Sequence, residues 1–164
     1  MSNRVVVVGS LNQDLVVNLD RMPNSGETVF GNSLERHAGG KGLNQAVAAA
    51  RLGVPVTMVG SISSDSAGDF LQRVVEDESI DATGISRVDG LAGTAVIEVE
   101  RSGANRIIVI PGANATVNAD QVRAALEAIP DIAVVLTQGE VPADAVMAAM
   151  EVGRARGART ILNP

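Results

Sequence analysis

Apolar residues in this chain alternate between short continuous runs and longer stretches with helical spacing. Residues 5–8 form a valine run before Gly9 and Ser10, which is typical of a strand buried on both faces. The same pattern predicts further buried strands at 56–61, 132–138 and 160–163 and helices at 41–52, 66–78, 118–129 and 142–156. Strands that alternate with helices in this way predict an α/β fold, in which a mostly parallel sheet carries helices on both faces.

Two regions do not follow this alternation. In each of them, short apolar segments flank turn-forming residues, which is typical of β-hairpins. The predicted hairpin strands are 15–19, 28–30 and 33–36 in the first region and 94–100 and 106–110 in the second. We therefore expect a small antiparallel β lid beside the main sheet, with lid segments at about 12–38 and 93–111.

The composition narrows the class of protein. Hydrophobic residues make up 46% of the 164 residues, but Phe30 and Phe70 are the only aromatic ones, so the core must be aliphatic. A net charge of −6 without a basic stripe argues against a nucleic-acid partner. With no cysteine, disulfides and thiolate metal sites are excluded, and His37 alone cannot build a histidine site. No apolar run is long enough to span a membrane, so we expect a cytoplasmic protein without a membrane partner.

The glycine-rich segment at 38–46 is the strongest candidate for chemistry. It contains Lys41, the only lysine in the chain, directly before a predicted helix. Glycines allow a ligand to approach the backbone closely, and a helix start offers free N–H groups and a positive dipole end. This combination predicts a site for a hydroxyl-rich or anionic small molecule. Neither a P-loop sequence nor a dinucleotide-binding glycine pattern occurs.

Several motifs together carry a family resemblance. They are Gly-Ser-Leu-Asn-Gln-Asp at 9–14, Pro-Asn-Ser-Gly-Glu-Thr at 23–28, Gly-Gly-Lys-Gly-Leu-Asn-Gln-Ala at 39–46, Pro-Gly-Ala-Asn at 111–114 and Gln-Gly-Glu at 138–140. In this combination the chain resembles the ribokinase-type (phosphofructokinase-B type) carbohydrate kinases. The resemblance implies a three-layer α/β sandwich with a β lid, of which residues 1–164 would be the N-terminal part. It also implies an ATP-dependent sugar kinase, with ribose as the foremost substrate. One departure is that Ser63 and Ser64 stand where the family usually has Gly-Asp.

The resemblance also implies which residues bind the sugar. The substrate-binding set comes from three segments and comprises Asn12, Asp14, Gly40, Lys41, Gly42, Asn44 and Glu140. An ionised aspartate can accept hydrogen bonds from two hydroxyl groups, which suits a vicinal diol. The lid would close over the sugar and pair with a second subunit, so a homodimer is expected.

The family's catalytic residues have no counterpart in this chain. The resemblance places the catalytic aspartate, most of the ATP site and the magnesium-binding segment downstream of Pro164, together with any monovalent-cation loop. No resident metal site is expected within the chain itself. Because the sequence ends directly after a predicted strand, we expect a fragment of a longer protein that is inactive alone.

Simpler explanations and other functions remain open at this point. Lys41 could be a solvated residue at a helix start, Asn12 and Asp14 could be turn formers, and Glu140 could sit near a helix start. A related kinase could instead act on a ketose, a sugar phosphate or a nucleoside; Arg36 and Arg106 are then candidates for binding a substrate phosphate. A non-catalytic sugar-binding or interaction module is the alternative outside the enzymes.

Overall fold

The computed structural model describes residues 4–164, which form nine strands, four α-helices and one 3₁₀ helix. The strands are β1 (Arg4–Val8), β2 (Asn12–Leu19), β3 (Gly31–Gly39), β4 (Val56–Ser63), β5 (Asp81–Val88), β6 (Gly93–Glu100), β7 (Asn105–Ile110), β8 (Ile132–Gln138) and β9 (Arg159–Asn163). The helices are α1 (Lys41–Arg51), α2 (Ser66–Asp77), α3 (Ala119–Ala128) and α4 (Ala143–Ala155), and the 3₁₀ helix is Gly112–Thr116. The four predicted helices and four predicted buried strands are confirmed, with ends that differ by at most two residues.

The main sheet has five strands in the order β5-β4-β1-β8-β9, and every neighbouring pair is parallel. From β1 the chain builds outward to β4 and β5 on one side, and later to β8 and β9 on the other. The order therefore reverses between β1 and β8. In open α/β sheets, ligands bind outside the carboxyl ends of the strands at such a reversal.

Alternate residues of the central strand face two separate apolar layers. Val6 and Val8 pack toward α3 and α4, whereas Val7 packs toward α1 and α2. All three valines are fully buried, as a strand covered on both faces requires. This arrangement confirms the predicted three-layer sandwich. Within residues 4–164, no helix is both long enough and apolar enough to cross a bilayer.

A second sheet has the strand order β3-β2-β6-β7. Its two hairpins are antiparallel as predicted, but β2 and β6 join them as a parallel pair, from Asn12 opposite Gly93 to Leu19 opposite Glu100. The expectation of an antiparallel lid is thus wrong in this respect, and the second sheet is mixed. The physical reason is that the first strand of each hairpin starts at the carboxyl edge of the main sheet, so both run outward in the same direction.

Two further elements differ from the sequence-based expectation. The predicted short strand at 28–30 is absent, because the hairpin partner of β2 begins only at Gly31, after a connection that contains Pro23 and the left-handed Gly26 (φ 78°). In addition, β5 was not predicted. Its sequence carries Asp81, Gly84 and polar residues in place of an apolar run, which an edge strand tolerates because one of its sides has no neighbour.

Asp65 caps the helix that follows β4. Its Oδ1 accepts hydrogen bonds from the backbone N–H groups of Ala67 (3.0 Å) and Gly68 (3.1 Å) and from the hydroxyl of Ser63 (2.5 Å). Ser63, which departs from the family pattern, is therefore part of the cap. These hydrogen bonds, with that from Ser63 the strongest, hold the pKa of Asp65 below its usual value of 3.8.

Replacing this cap should destabilise the protein in a pH-dependent way. We expect Asp65→Ala to lower the free energy of unfolding by about 1 kcal/mol at pH 7, as measured by chemical denaturation. Because the folded pKa lies below the unfolded one, this stabilisation is present above pH 3.8 and is lost as the pH falls through the folded value. Asp65→Asn keeps an acceptor oxygen and is the control; an equal loss in both variants would contradict the capping role.

Candidate functional site

A hydrogen-bonded junction lies where the carboxyl ends of β1 and β8 meet the start of α1. Fully buried Ser10, just after β1, donates its hydroxyl to Oε2 of Glu140 (2.7 Å) and accepts from the backbone N–H of Gly42 (3.2 Å). The backbone N–H of Lys41 also donates to Oε2 of Glu140 (2.9 Å). Glu140 thus satisfies the first turn of α1, whose N-cap residue, Gly40, has no side chain with which to do so.

The junction requires glycine at two of the predicted positions. Gly40 has φ 89°, a left-handed conformation that other residues rarely adopt. A Cβ atom on Gly42 would lie 2.5 Å from the backbone nitrogen of Ser10. Their roles in the structure are therefore a sharp turn and a close approach of two backbones, which bring the N–H groups of α1 to the edge of the main sheet.

Asp14 extends from β2 at the side of this junction. It lies opposite His37 of β3, and its carboxylate rests against Gly39, where a Cβ atom would come within 2.1 Å of Oδ2. Its Oδ1 is buried and has no hydrogen-bond partner within residues 4–164. Burial raises the pKa of Asp14, the nearby negative charge of Glu140 raises it further, and His37 counteracts part of the effect.

Asn12 lines a cavity beside the same junction. The cavity has a volume of about 400 Å³ and is also bordered by Asn114, Glu140 and mostly apolar residues of the turns after β7 and β8. Oδ1 of Asn12 accepts a hydrogen bond from Nδ2 of Asn114 (2.7 Å), and both side chains are buried. The cavity therefore offers a few fixed polar groups on an apolar wall, as small-molecule sites commonly do.

The side chains of Lys41 and Asn44 lie at the open side of α1. The ammonium group of Lys41 is directed to the carboxyl end of β9, where it donates to the carbonyl oxygen of Pro164 (3.3 Å). Asn44 is exposed one turn into the helix. The contact that links Lys41 to the junction is thus made by its backbone, whereas the charges that act on Asp14 are those of Glu140 and His37.

Two residues of this site were not among the predicted ones. Ser10 and Asn114 lie in quoted motifs, but their sequence positions gave no hint of the hydrogen bonds that they make with Glu140 and Asn12. Glu140 lies two residues before Pro142, the N-cap of α4, so it is near a helix start as the simpler explanation held. Its carboxylate also accepts from the start of α1, which is distant in sequence. Within residues 4–164, no group of three or more His, Asp or Glu side chains is placed to hold a metal ion.

Comparisons with known proteins identify the family of the chain. The model of the pfkB family carbohydrate kinases matches residues 2–164. The chain belongs to the pfkB family of carbohydrate kinases. The ribokinase of Haemophilus influenzae is 36% identical over 165 residues, which cover all of this chain and 54% of that enzyme.

Solved structures of ribokinases have the same fold. That of Thermotoga maritima aligns with a TM-score of 0.88 at 33% identity, over 100% of this chain and 53% of the other. The Arabidopsis thaliana ribokinase, solved in complex with ribose and ATP, aligns with a TM-score of 0.82 at 30% identity, over 99% of this chain and 53% of the other. The chain thus spans about half the length of the family members that it matches, and its ribokinase-like fold is clear over that half.

The environment of Asp14 should make it a destabilising residue. Because its folded pKa is raised, ionised Asp14 costs stability at neutral pH, and this cost fades as the pH falls through the folded pKa and is absent below 3.8. We therefore expect Asp14→Asn to raise Tm by a few degrees at pH 7, and by progressively less as the pH is lowered towards 3.8, in circular-dichroism melts. Asp69→Asn, which removes an exposed ion pair with Arg87, is the control and should bring no gain. A lower Tm for Asp14→Asn at pH 7 would contradict this account.

Proposed function

We propose that this chain is the sugar-binding half of an ATP-dependent sugar kinase that phosphorylates ribose at its 5-hydroxyl group. The observation that carries the proposal is the buried, unpartnered Oδ1 of Asp14, which lies near Glu140 where the strand order reverses. Such an oxygen lacks a hydrogen-bond donor, and a sugar hydroxyl group would supply one. The family match and the ribose complex of the Arabidopsis relative support ribose as the sugar.

Each of the predicted residues would contact a different part of the sugar. Asp14 would accept from two neighbouring hydroxyl groups. Glu140 would use Oε1, because Oε2 already accepts from Ser10 and from the backbone of Lys41. Asn12 would contact the sugar from the cavity side, and α1 would contribute the glycine backbone with the side chains of Lys41 and Asn44. These residues would hold and orient the sugar, which is a contribution of positioning.

The residues of this chain do not by themselves suit ATP and magnesium. Within residues 4–164, Glu140 is the only charged side chain on the 400 Å³ cavity, and a carboxylate repels phosphate groups. We therefore place ATP, Mg²⁺, any monovalent cation and the catalytic base on residues outside this chain, and we expect the chain alone to be inactive. The absence of cysteine supports a reducing compartment, so we assign the reaction to the cytoplasm.

The charge of the second sheet favours a neutral sugar over a phosphorylated one. Arg36 lies opposite Leu15, and Arg106 lies opposite Glu98, so both are out of phase with Asp14 in the strand pairing. Because successive side chains of a strand point to opposite faces, both arginines belong to the face away from Asp14. Arg36 and Arg106, the two residues considered for binding a substrate phosphate, are therefore not on the face of the sheet that carries Asp14. Ketoses and nucleosides remain alternatives to ribose.

Kinetics of the full-length gene product would test the proposal. We expect Asp14→Asn to lower kcat/KM for ribose by about 100-fold or more, because it replaces a charged acceptor of two hydrogen bonds. KM for ATP should change by less than about threefold, since the residue does not contact the nucleotide. Formation of ADP in a coupled assay is the measurement, and Asp69→Asn is the matched control.

Other outcomes of this experiment have distinct meanings. Near-normal kinetics of Asp14→Asn with ribose would contradict the site assignment. Faster turnover of a ketose or a nucleoside than of ribose would identify that compound, and not ribose, as the substrate. Calorimetric binding of ribose by the full-length wild-type protein without ATP turnover would support the non-catalytic sugar-binding module instead.

The second sheet also supports the proposed homodimer. Both of its edge strands, β3 and β7, are exposed over most of their length. Large apolar side chains are exposed on both edge strands, namely Leu34 on β3 and Ile107, Ile108, Val109 and Ile110 on β7. An exposed apolar patch with open strand edges is a common site of subunit contact. We propose that a second copy of the protein covers this sheet.

A charged substitution on β7 should separate the subunits. We expect Ile107→Asp, at a side chain that is 55% exposed, to convert a dimer into a monomer in sedimentation velocity, because a carboxylate would be buried in an apolar interface. Leu52→Asp is the control, since Leu52 is 84% exposed but lies at the end of α1, away from the second sheet. A wild-type monomer, or a dimer that survives Ile107→Asp, would contradict this interface.

A further inference from the structure

We infer that Asn114 is a positioning residue that fixes the direction of the Asn12 side-chain amide, so that Asn12 presents hydrogen-bond donors to the ligand. The inference rests on the proposed function, since it concerns the same sugar site. Asn114 lies in the 3₁₀ helix between β7 and α3, far in sequence from Asn12. Its side chain is only 2% exposed.

The backbone of Leu11 determines which way the Asn114 amide points. The N–H of Leu11 donates to Oδ1 of Asn114 (2.9 Å), and Nδ2 of Asn114 donates to the carbonyl oxygen of Leu11 (3.3 Å). A backbone N–H can only donate, and a backbone carbonyl can only accept. Rotating the Asn114 amide by 180° would break both bonds and oppose like groups, so a single orientation is possible.

The fixed orientation of the Asn114 amide also fixes the orientation of the Asn12 amide. The Nδ2 of Asn114 also donates to Oδ1 of Asn12 at 2.7 Å, so the oxygen of Asn12 must face Asn114. The Nδ2 of Asn12 then has no hydrogen-bond partner within residues 4–164, and the residue borders the 400 Å³ cavity. Gly93 leaves room for the pair, because a Cβ atom there would lie 2.1 Å from Nδ2 of Asn114 and 2.5 Å from Oδ1 of Asn12.

As a consequence, the hydrogen-bond donor of Asn12 lies beside the hydrogen-bond acceptor of Asp14 on one face of β2. Asn12 and Asp14 are two residues apart on β2, and their side chains therefore lie on the same side of the second sheet. Asn12 offers only N–H groups, whereas ionised Asp14 offers only oxygen lone pairs. The ligand group opposite Asn12 must then accept a hydrogen bond, and its neighbour opposite Asp14 must donate one. Adjacent hydroxyl groups meet both demands, whereas a protonated amino group opposite Asn12 would not, because it has no lone pair.

The test exchanges the donor of Asn114 for an acceptor. Asn114→Asp keeps the size of the side chain and the acceptor for Leu11 N–H, but it removes the N–H groups that hold Oδ1 of Asn12. The Asn12 amide should then turn over and present its oxygen to the sugar. In the full-length gene product, we expect KM for ribose to rise by about 10- to 100-fold with KM for ATP unchanged. Asn118→Asp is the matched control, because aspartate can still cap α3 and the variant loses only an exposed hydrogen bond from Nδ2 to the carbonyl oxygen of Thr116 (3.3 Å).

A double-mutant cycle separates positioning from a general structural defect. If Asn114 acts through Asn12, Asn114→Asp should raise KM for ribose in the wild-type background but not further in the Asn12→Ala background. An equal rise in both backgrounds, or no rise in either, would overturn the inference. A wild-type enzyme that turns over no sugar would instead contradict the proposed function.

A measurement on the wild-type protein requires neither a stable variant nor turnover. Side-chain amide signals in ¹⁵N NMR spectra can be assigned to Asn12 and Asn114, and their exchange with water can be compared. Without ligand, the amide protons of Asn114 should be protected by their hydrogen bonds, and those of Asn12 should exchange rapidly. If the amide protons of Asn12 are already protected in the ligand-free protein, the inference is wrong, whatever the kinetics give.

Discussion

The contact between the start of α1 and the carboxyl ends of β1 and β8 is the constraint on which the rest of the site depends. One oxygen of Glu140 accepts from the Ser10 hydroxyl and from the N–H of Lys41, and the same hydroxyl accepts from the N–H of Gly42. These bonds satisfy N–H groups that a helix start otherwise leaves open. They also join three segments that are far apart in sequence at the point where the strand order reverses.

Asp14 lies beside this junction in a position that is unfavourable for a charge. Its burial and its proximity to Glu140 both oppose ionisation, so the folded protein holds a carboxylate that it would hold more easily as an amide. Groups of this kind are common in functional sites, where a ligand supplies the missing partner. An exposed structural aspartate such as Asp65 behaves in the opposite way, because backbone N–H groups already stabilise its charge.

Local sequence predicted the four helices and every strand of the main sheet except the edge strand β5, because their patterns depend on near neighbours. The valine run of β1 and the Asn118 cap of α3 are readable without tertiary contacts, and both are confirmed. The mixed second sheet was not predictable in the same way, since the pairing of β2 with β6 joins hairpins about 80 residues apart. For the site, motif resemblance indicated Glu140 and Asn12, but it could not indicate that Ser10 and Asn114 orient them, because those bonds exist only in the folded chain.

The second sheet and the candidate site are connected at one place, where β2 and β6 begin. Asn12 is the first residue of β2 and Gly93 is the first residue of β6, and the buried side chain of Asn114 lies against both. Asn114 also holds the backbone of Leu11, directly before β2. Any rotation of the second sheet about this connection would therefore move Asn12 and Asp14 together, while Glu140 stays with the main sheet. Closure over a ligand would then need no new element, because the residues that we propose as ligand-binding already lie on both sides of this connection.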